Sequence, residues 1–110
     1  MTANFIKINS LEELDGLFER SSERPVFLFK HSLTCPISAG VFDIVSNIDA
    51  DIHLVVVQQA RDVSNKIAEK TGVRHESPQA LVVKGGRAVY HASHYDVEAA
   101  EIEKTLAAEF

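Results

Sequence analysis

A single cysteine, Cys35, is the whole thiol inventory of this 110-residue sequence. A lone cysteine cannot close an internal disulfide, which excludes the disulfide-stapled secreted domains and suits a reducing compartment. Any redox chemistry must therefore borrow its second thiol from another molecule. Basic clusters are missing as well: eleven Lys and Arg stand against sixteen Asp and Glu, for a net charge of -5, and the basic residues are scattered. Without a cationic patch the electrostatic footprint of a DNA or RNA binder is absent, so no nucleic-acid partner is expected. Long apolar runs are also wanting. The stretch Met1 to Asn4 is polar, and Phe5 to Ile8 is far too short for a signal-peptide core or a membrane span. A cytoplasmic location with no membrane contact is expected. No repeat, linker or low-complexity tract interrupts the chain. With 45% hydrophobic and 25% charged residues it has the composition and length of one domain over residues 1–110.

What is present is a regular alternation of strand and helix patterns. Phe5 to Ile8 reads as a short strand, and Ser10-Leu11-Glu12-Glu13 is a capping box that starts a helix carrying Leu11, Leu14, Leu17 and Phe18 inward. Val26 to Phe29 is a continuous apolar run, expected of a strand buried on both faces of a largely parallel sheet. After an aperiodic segment, Cys35-Pro36 leads into Ile37, Val41, Ile44, Val45 and Ile48 at helical spacing. A third strand over Ile52 to Val57 and a helix from about Asp62 to Lys70 follow, the latter stopping at Gly72. Ala80 to Val83, the Gly85-Gly86 turn and Ala88 to Tyr90 read as a hairpin, and Asp96 is expected to cap a final helix. The order β-α-β-α-β-α-β-β-α demands right-handed parallel crossovers with an antiparallel hairpin at one edge. It predicts an α/β, thioredoxin-like fold: a mixed central sheet with helices on both faces.

Cys35 is the residue on which chemistry converges. Proline is tolerated in the first helical turn because its missing N–H costs nothing there, so Pro36 places Cys35 at or beside the N-cap. A thiol reacts as its thiolate, and the ordinary pKa of about 8.5 falls when the sulfur meets the amides and positive dipole end of a helix. Lys30 and His31 would add positive potential if their side chains turned towards the loop. Ser38 occupies the place, three residues on, where a Cys-x-x-Cys protein carries its resolving thiol. It either hydrogen-bonds the thiolate or satisfies backbone groups as an ordinary first-turn serine. With no internal thiol to expel a product, a mixed disulfide on Cys35 must wait for an external one. Ser77-Pro78 precedes a strand; a cis bond there would turn the Ser77 backbone towards Cys35, where its N–H and C=O could pair with an extended substrate.

Other constellations are weaker. His91 and His94 are two ligands where zinc needs three or four, so no bound metal is expected. Lys84-Gly85-Gly86-Arg87 joins two strands and lacks the spacing and following helix of a phosphate cradle. Two alternatives to exchange chemistry remain: a glutaredoxin-like iron–sulfur cluster held by Cys35 and an external thiol across a dimer, and a thioredoxin-fold binding module with an incidental thiol.

The segment Phe29-Lys30-His31-Ser32-Leu33-Thr34-Cys35-Pro36-Ile37-Ser38, with Arg74-His75-Glu76-Ser77-Pro78-Gln79 further on, resembles the YtxJ-type monothiol bacilliredoxins, and the resemblance runs over essentially the whole chain. It implies removal of bacillithiol from S-bacillithiolated client proteins. No resident cofactor is implied: bacillithiol acts as thiol co-substrate, and a separate NADPH-dependent flavin enzyme reduces the bacillithiol disulfide. Carried over residue by residue, the resemblance makes Cys35 the nucleophile, Pro36 the helix-start residue and Ser38 the replacement for a resolving thiol. Lys30, Thr34, Arg74, His75 and Glu76 become candidate contacts to the sugar, malate or carboxylates of bacillithiol, and Ser77-Pro78 the substrate clamp.

Overall fold

The computed structural model describes residues 3–108. Five strands, β1 (Asn4–Lys7), β2 (Val26–His31), β3 (Asp51–Val56), β4 (Gln79–Lys84) and β5 (Arg87–Ser93), form one sheet in the order β1-β3-β2-β4-β5. The first three are parallel; β4 runs antiparallel to β2 and β5 antiparallel to β4. Four helices complete the fold: α1 (Leu11–Arg20), α2 (Pro36–Val45), α3 (Arg61–Thr71) and α4 (Ala99–Ala107). No helix among the described residues is long and apolar enough to cross a membrane.

Alternation along β2 splits the core in two. Val26 and Leu28 join Leu14 and Leu17 of α1 and Val63 and Ile67 of α3 on one face. Phe27 and Phe29 join Val41 and Val45 of α2 and Ile102 of α4 on the other. Successive side chains leave a strand on opposite sides, so a strand covered on both faces must be apolar throughout. The apolar run therefore marks β2 as the central strand, which it is.

Local signals set the helix ends. The Ser10 hydroxyl accepts the Glu13 N–H at 3.1 Å while the Glu13 carboxylate reaches back to the Asn9 N–H, a reciprocal cap for α1. Gly72 closes α3 with φ 73°, and Gly85 and Gly86 turn the hairpin with φ 63° and 75°, conformations in which a side chain is strained. One expected cap is corrected. Asp96 ends a short 3-10 turn, His94–Asp96, and Val97 intervenes as a buried core residue before α4 begins at Ala99.

Candidate functional site

Everything of chemical interest gathers where β2 ends. Because β4 is antiparallel to β2 and Gln79 pairs with Lys30, Pro78 stands level with His31, the residue from which the Cys35 loop departs. The parallel strand β3 ends at the same edge and delivers Gln58. Cys35 is the N-cap of α2, with extended backbone (φ -102°, ψ 118°) and Pro36 in the first turn. Its side chain makes no capping bond, the residue is half-buried, and its carbonyl accepts the Ser38 N–H at 3.0 Å.

The loop between β2 and α2 is braced from a distance. Gln58 accepts the Leu33 N–H at 3.1 Å and donates to the hydroxyls of Ser32 at 2.8 Å and Thr34 at 3.3 Å. One amide side chain thus satisfies three groups of a segment that has no secondary structure of its own. Thr34 and Leu33 are exposed on its rim.

Ser38 settles between its two expected roles. It is fully buried, and its hydroxyl accepts the Ser32 N–H at 2.9 Å and shares a 2.8 Å hydrogen bond with His31 Nδ1. Those partners occupy the hydroxyl, and the bond that Ser38 makes to Cys35 is the backbone one, N–H to carbonyl. The His31 ring lies 5.0 Å from that of Phe42 and 6.2 Å from that of Phe29. Burial lowers the His31 pKa, because desolvation disfavours the charged ring. The expected pair of positive side chains beside the loop is therefore corrected: burial disfavours the charged form of His31, and strand alternation sends Lys30 to the opposite face of the sheet.

Lys30 has no exposed surface. Its ammonium contacts His75 Nδ1 at 3.1 Å, and the Ser64 hydroxyl of α3 meets the same nitrogen at 3.1 Å. The lysine expected to contact a ligand carboxylate is instead buried behind an exposed histidine. Desolvation lowers the Lys30 pKa from 10.5 to about 8. The unfolded chain holds this proton up to 10.5 and the folded one only to about 8, so between these values unfolding takes up a proton. Stability is expected to rise with pH across that interval, and Lys30→Met to remove this part of the rise, as read by urea unfolding of both proteins through it.

The remaining candidates line the segment before β4. The Arg74 carbonyl accepts from Gln79 Nε2 at 2.9 Å, and the same amide reaches Ser93 Oγ at 3.2 Å. Glu76 is exposed, its carboxyl held below the usual range first by the Ser93 hydroxyl and then by His94 and Arg74. The Ser77-Pro78 bond is cis, and the Pro78 carbonyl accepts the His94 N–H at 2.9 Å. Among the described residues no three His, Cys, Asp or Glu side chains gather as metal ligands.

A cavity of about 340 Å³ lies elsewhere, between Arg20, Arg24, Asp49, Asp51 and His53 at the opposite ends of β2 and β3. Cys35 does not line it.

Comparison with known proteins agrees with this geometry. A solved structure described as an oxidoreductase with a thioredoxin fold is 38% identical, with a TM-score of 0.82 and 91% of each chain covered. Thioredoxin from Nicotiana alata (18% identity, TM-score 0.70, covering 96% of this chain and 91% of that one) shares the fold. So does a thioredoxin variant from Halobacterium salinarum (15%, 0.68, 94% and 88%). The family described as monothiol bacilliredoxin BrxC matches residues 6–102. The chain is a thiol–disulfide oxidoreductase of thioredoxin fold, and with one cysteine and Ser38 three residues after it, it belongs to the monothiol bacilliredoxin family.

Proposed function

We propose that this protein removes bacillithiol from protein mixed disulfides in the cytoplasm, with Cys35 as the nucleophile. The observation that carries the reading is the placement of the sole cysteine at the N-cap of α2, half-buried and free of any capping bond, with the Ser38 hydroxyl engaged elsewhere. Amides and dipole at a helix start favour the anionic sulfur. The Cys35 thiolate attacks the bacillithiol sulfur of the client's mixed disulfide; the client leaves as a thiolate and takes a proton from water. Cys35 is left joined to bacillithiol. No second thiol in the chain can expel it, so a free bacillithiol attacks the bound one, releasing the Cys35 thiolate and bacillithiol disulfide. A separate NADPH-dependent reductase returns that disulfide to two thiols. Ser77-Pro78 lines the edge where an extended client segment would lie, with Thr34 on the facing rim.

Intact-mass analysis tests this directly. Incubation with an S-bacillithiolated client is expected to place one bacillithiol on wild-type protein and free the client thiol, and Cys35→Ala is expected to do neither. A wild type that gains no adduct while the client keeps its own overturns the proposal.

A further inference from the structure

Lysine is among the residues least often buried, and a buried cation is normally matched by an anion. Among the described residues no carboxylate forms an ion pair with Lys30; its contact is the imidazole of His75. Ser64, likewise buried, closes on the same ring nitrogen. Next to Lys30, its cross-strand partner Gln79 is buried and holds the backbone of the same segment through the Arg74 carbonyl. Two buried polar side chains, from adjacent strands and on one face of the sheet, thus fix residues 74 and 75 of an otherwise exposed loop. Core strands do not need such groups for stability, since apolar side chains would pack there at lower desolvation cost. Their common effect is on the loop.

An ammonium has donors and no lone pair, so the nitrogen it meets must be the unprotonated one. His75 is then confined to the tautomer with its proton on Nε2, the nitrogen across the ring from the two buried partners, and the residue is exposed. The cations acting on the ring are Lys30 and Arg61, against Glu76 alone as anion. The balance favours an anion.

We propose that Lys30 is a positioning residue that locks His75 as an outward Nε2–H donor, and that this donor takes a carboxylate of the thiol carried in the mixed disulfide. The inference rests on the exchange reading above for its substrate, but not for its geometry. It makes selectivity for carboxylated thiols a property of the loop before β4, separate from the thiol chemistry at Cys35.

Two measurements test it together. Imidazole nitrogen shifts of His75 are expected to show a single tautomer protonated at Nε2 in the wild type and a mixture in Lys30→Met. In parallel, kcat/KM is compared for one client carrying bacillithiol and the same client carrying 2-mercaptoethanol, which has no carboxylate. The ratio of the two values is expected to fall about tenfold in Lys30→Met and in His75→Phe, the effect of one hydrogen bond to a charged group. His75→Gln should retain most of the ratio, because its amide oxygen can accept from Lys30 while its NH₂ points outward. A wild-type His75 protonated at Nδ1, or a ratio that does not move in either variant, overturns the proposal. Should bacillithiol adducts prove inert while glutathione adducts show the same dependence on Lys30, the exchange reading loses its substrate and the positioning role stands.

Discussion

Ser38→Cys is expected to stop the bacillithiol adduct from accumulating. Residues 35 and 38 lie within one helical turn, joined by the hydrogen bond from the Ser38 N–H to the Cys35 carbonyl. Side chains at that spacing have Cβ atoms about 5–6 Å apart, within a small adjustment of disulfide geometry. A thiol there attacks Cys35 in its own mixed disulfide, releasing bacillithiol and leaving an internal disulfide. Tethered groups reach effective concentrations of millimolar or more, so the adduct should decay at least about tenfold faster than with sub-millimolar external thiol. Mixing each protein with bacillithiol disulfide and following intact mass without added thiol reads this out. An adduct as durable as that of the wild type would mean that the serine is not what makes the protein monothiol. The substitution also takes the oxygen acceptor from the buried Ser32 N–H, a cost of about 1–3 kcal/mol visible in unfolding.

Phe29→Ala carries the larger structural penalty. Phe29 is fully buried beneath α2 and belongs to the cluster formed by Val41, Val45 and Ile48. Its ring stands 6.3 Å from that of Phe42 and 6.2 Å from that of His31. Truncation removes transfer energy and leaves a cavity that rigid neighbours fill only in part, about 3–5 kcal/mol. At roughly 4 °C per kcal/mol or more for a domain near this size, the midpoint of thermal unfolding should drop by roughly 12 °C or more. Because His31 and through it Ser38 rest on this ring, exchange should also slow at temperatures where the protein remains folded. A drop of under about 4 °C would show that α2 collapses onto the gap.

The fold was legible because its determinants are periodic and local. The capping box at Ser10, the unbroken apolar run of β2, Pro36 after the cysteine and the paired glycines of the hairpin each act within a few residues, and each does in the structure what its pattern implies. Strand ends were less legible: β2 continues through Lys30 and His31, polar residues that hydropathy assigns to a loop. Asp96 misled for a related reason, since an aspartate before an apolar stretch looks like a cap whether or not the chain makes an extra turn first. Cys35 stood out by composition alone. Gln58, Ser64 and Gln79 did not, because nothing near them in sequence marks a side chain that will reach 26, 11 or 14 residues away. Lys30 was read as a source of positive potential beside the loop and as a contact to a ligand carboxylate, because nothing near it in sequence marks the imidazole that its buried ammonium meets.

The bracing of the thiol loop by Gln58 bears on how far this site can be transplanted. A graft of residues 32–38 onto another thioredoxin scaffold would carry the cysteine, the proline and the serine but not the side chain that holds Ser32, Leu33 and Thr34 in place. Nor would it carry His31, the second partner of Ser38. The exchange loop is thus not a portable cassette. Its smallest transferable unit spans the ends of two neighbouring strands, and chimeras that respect that boundary should keep the loop's shape where motif swaps lose it.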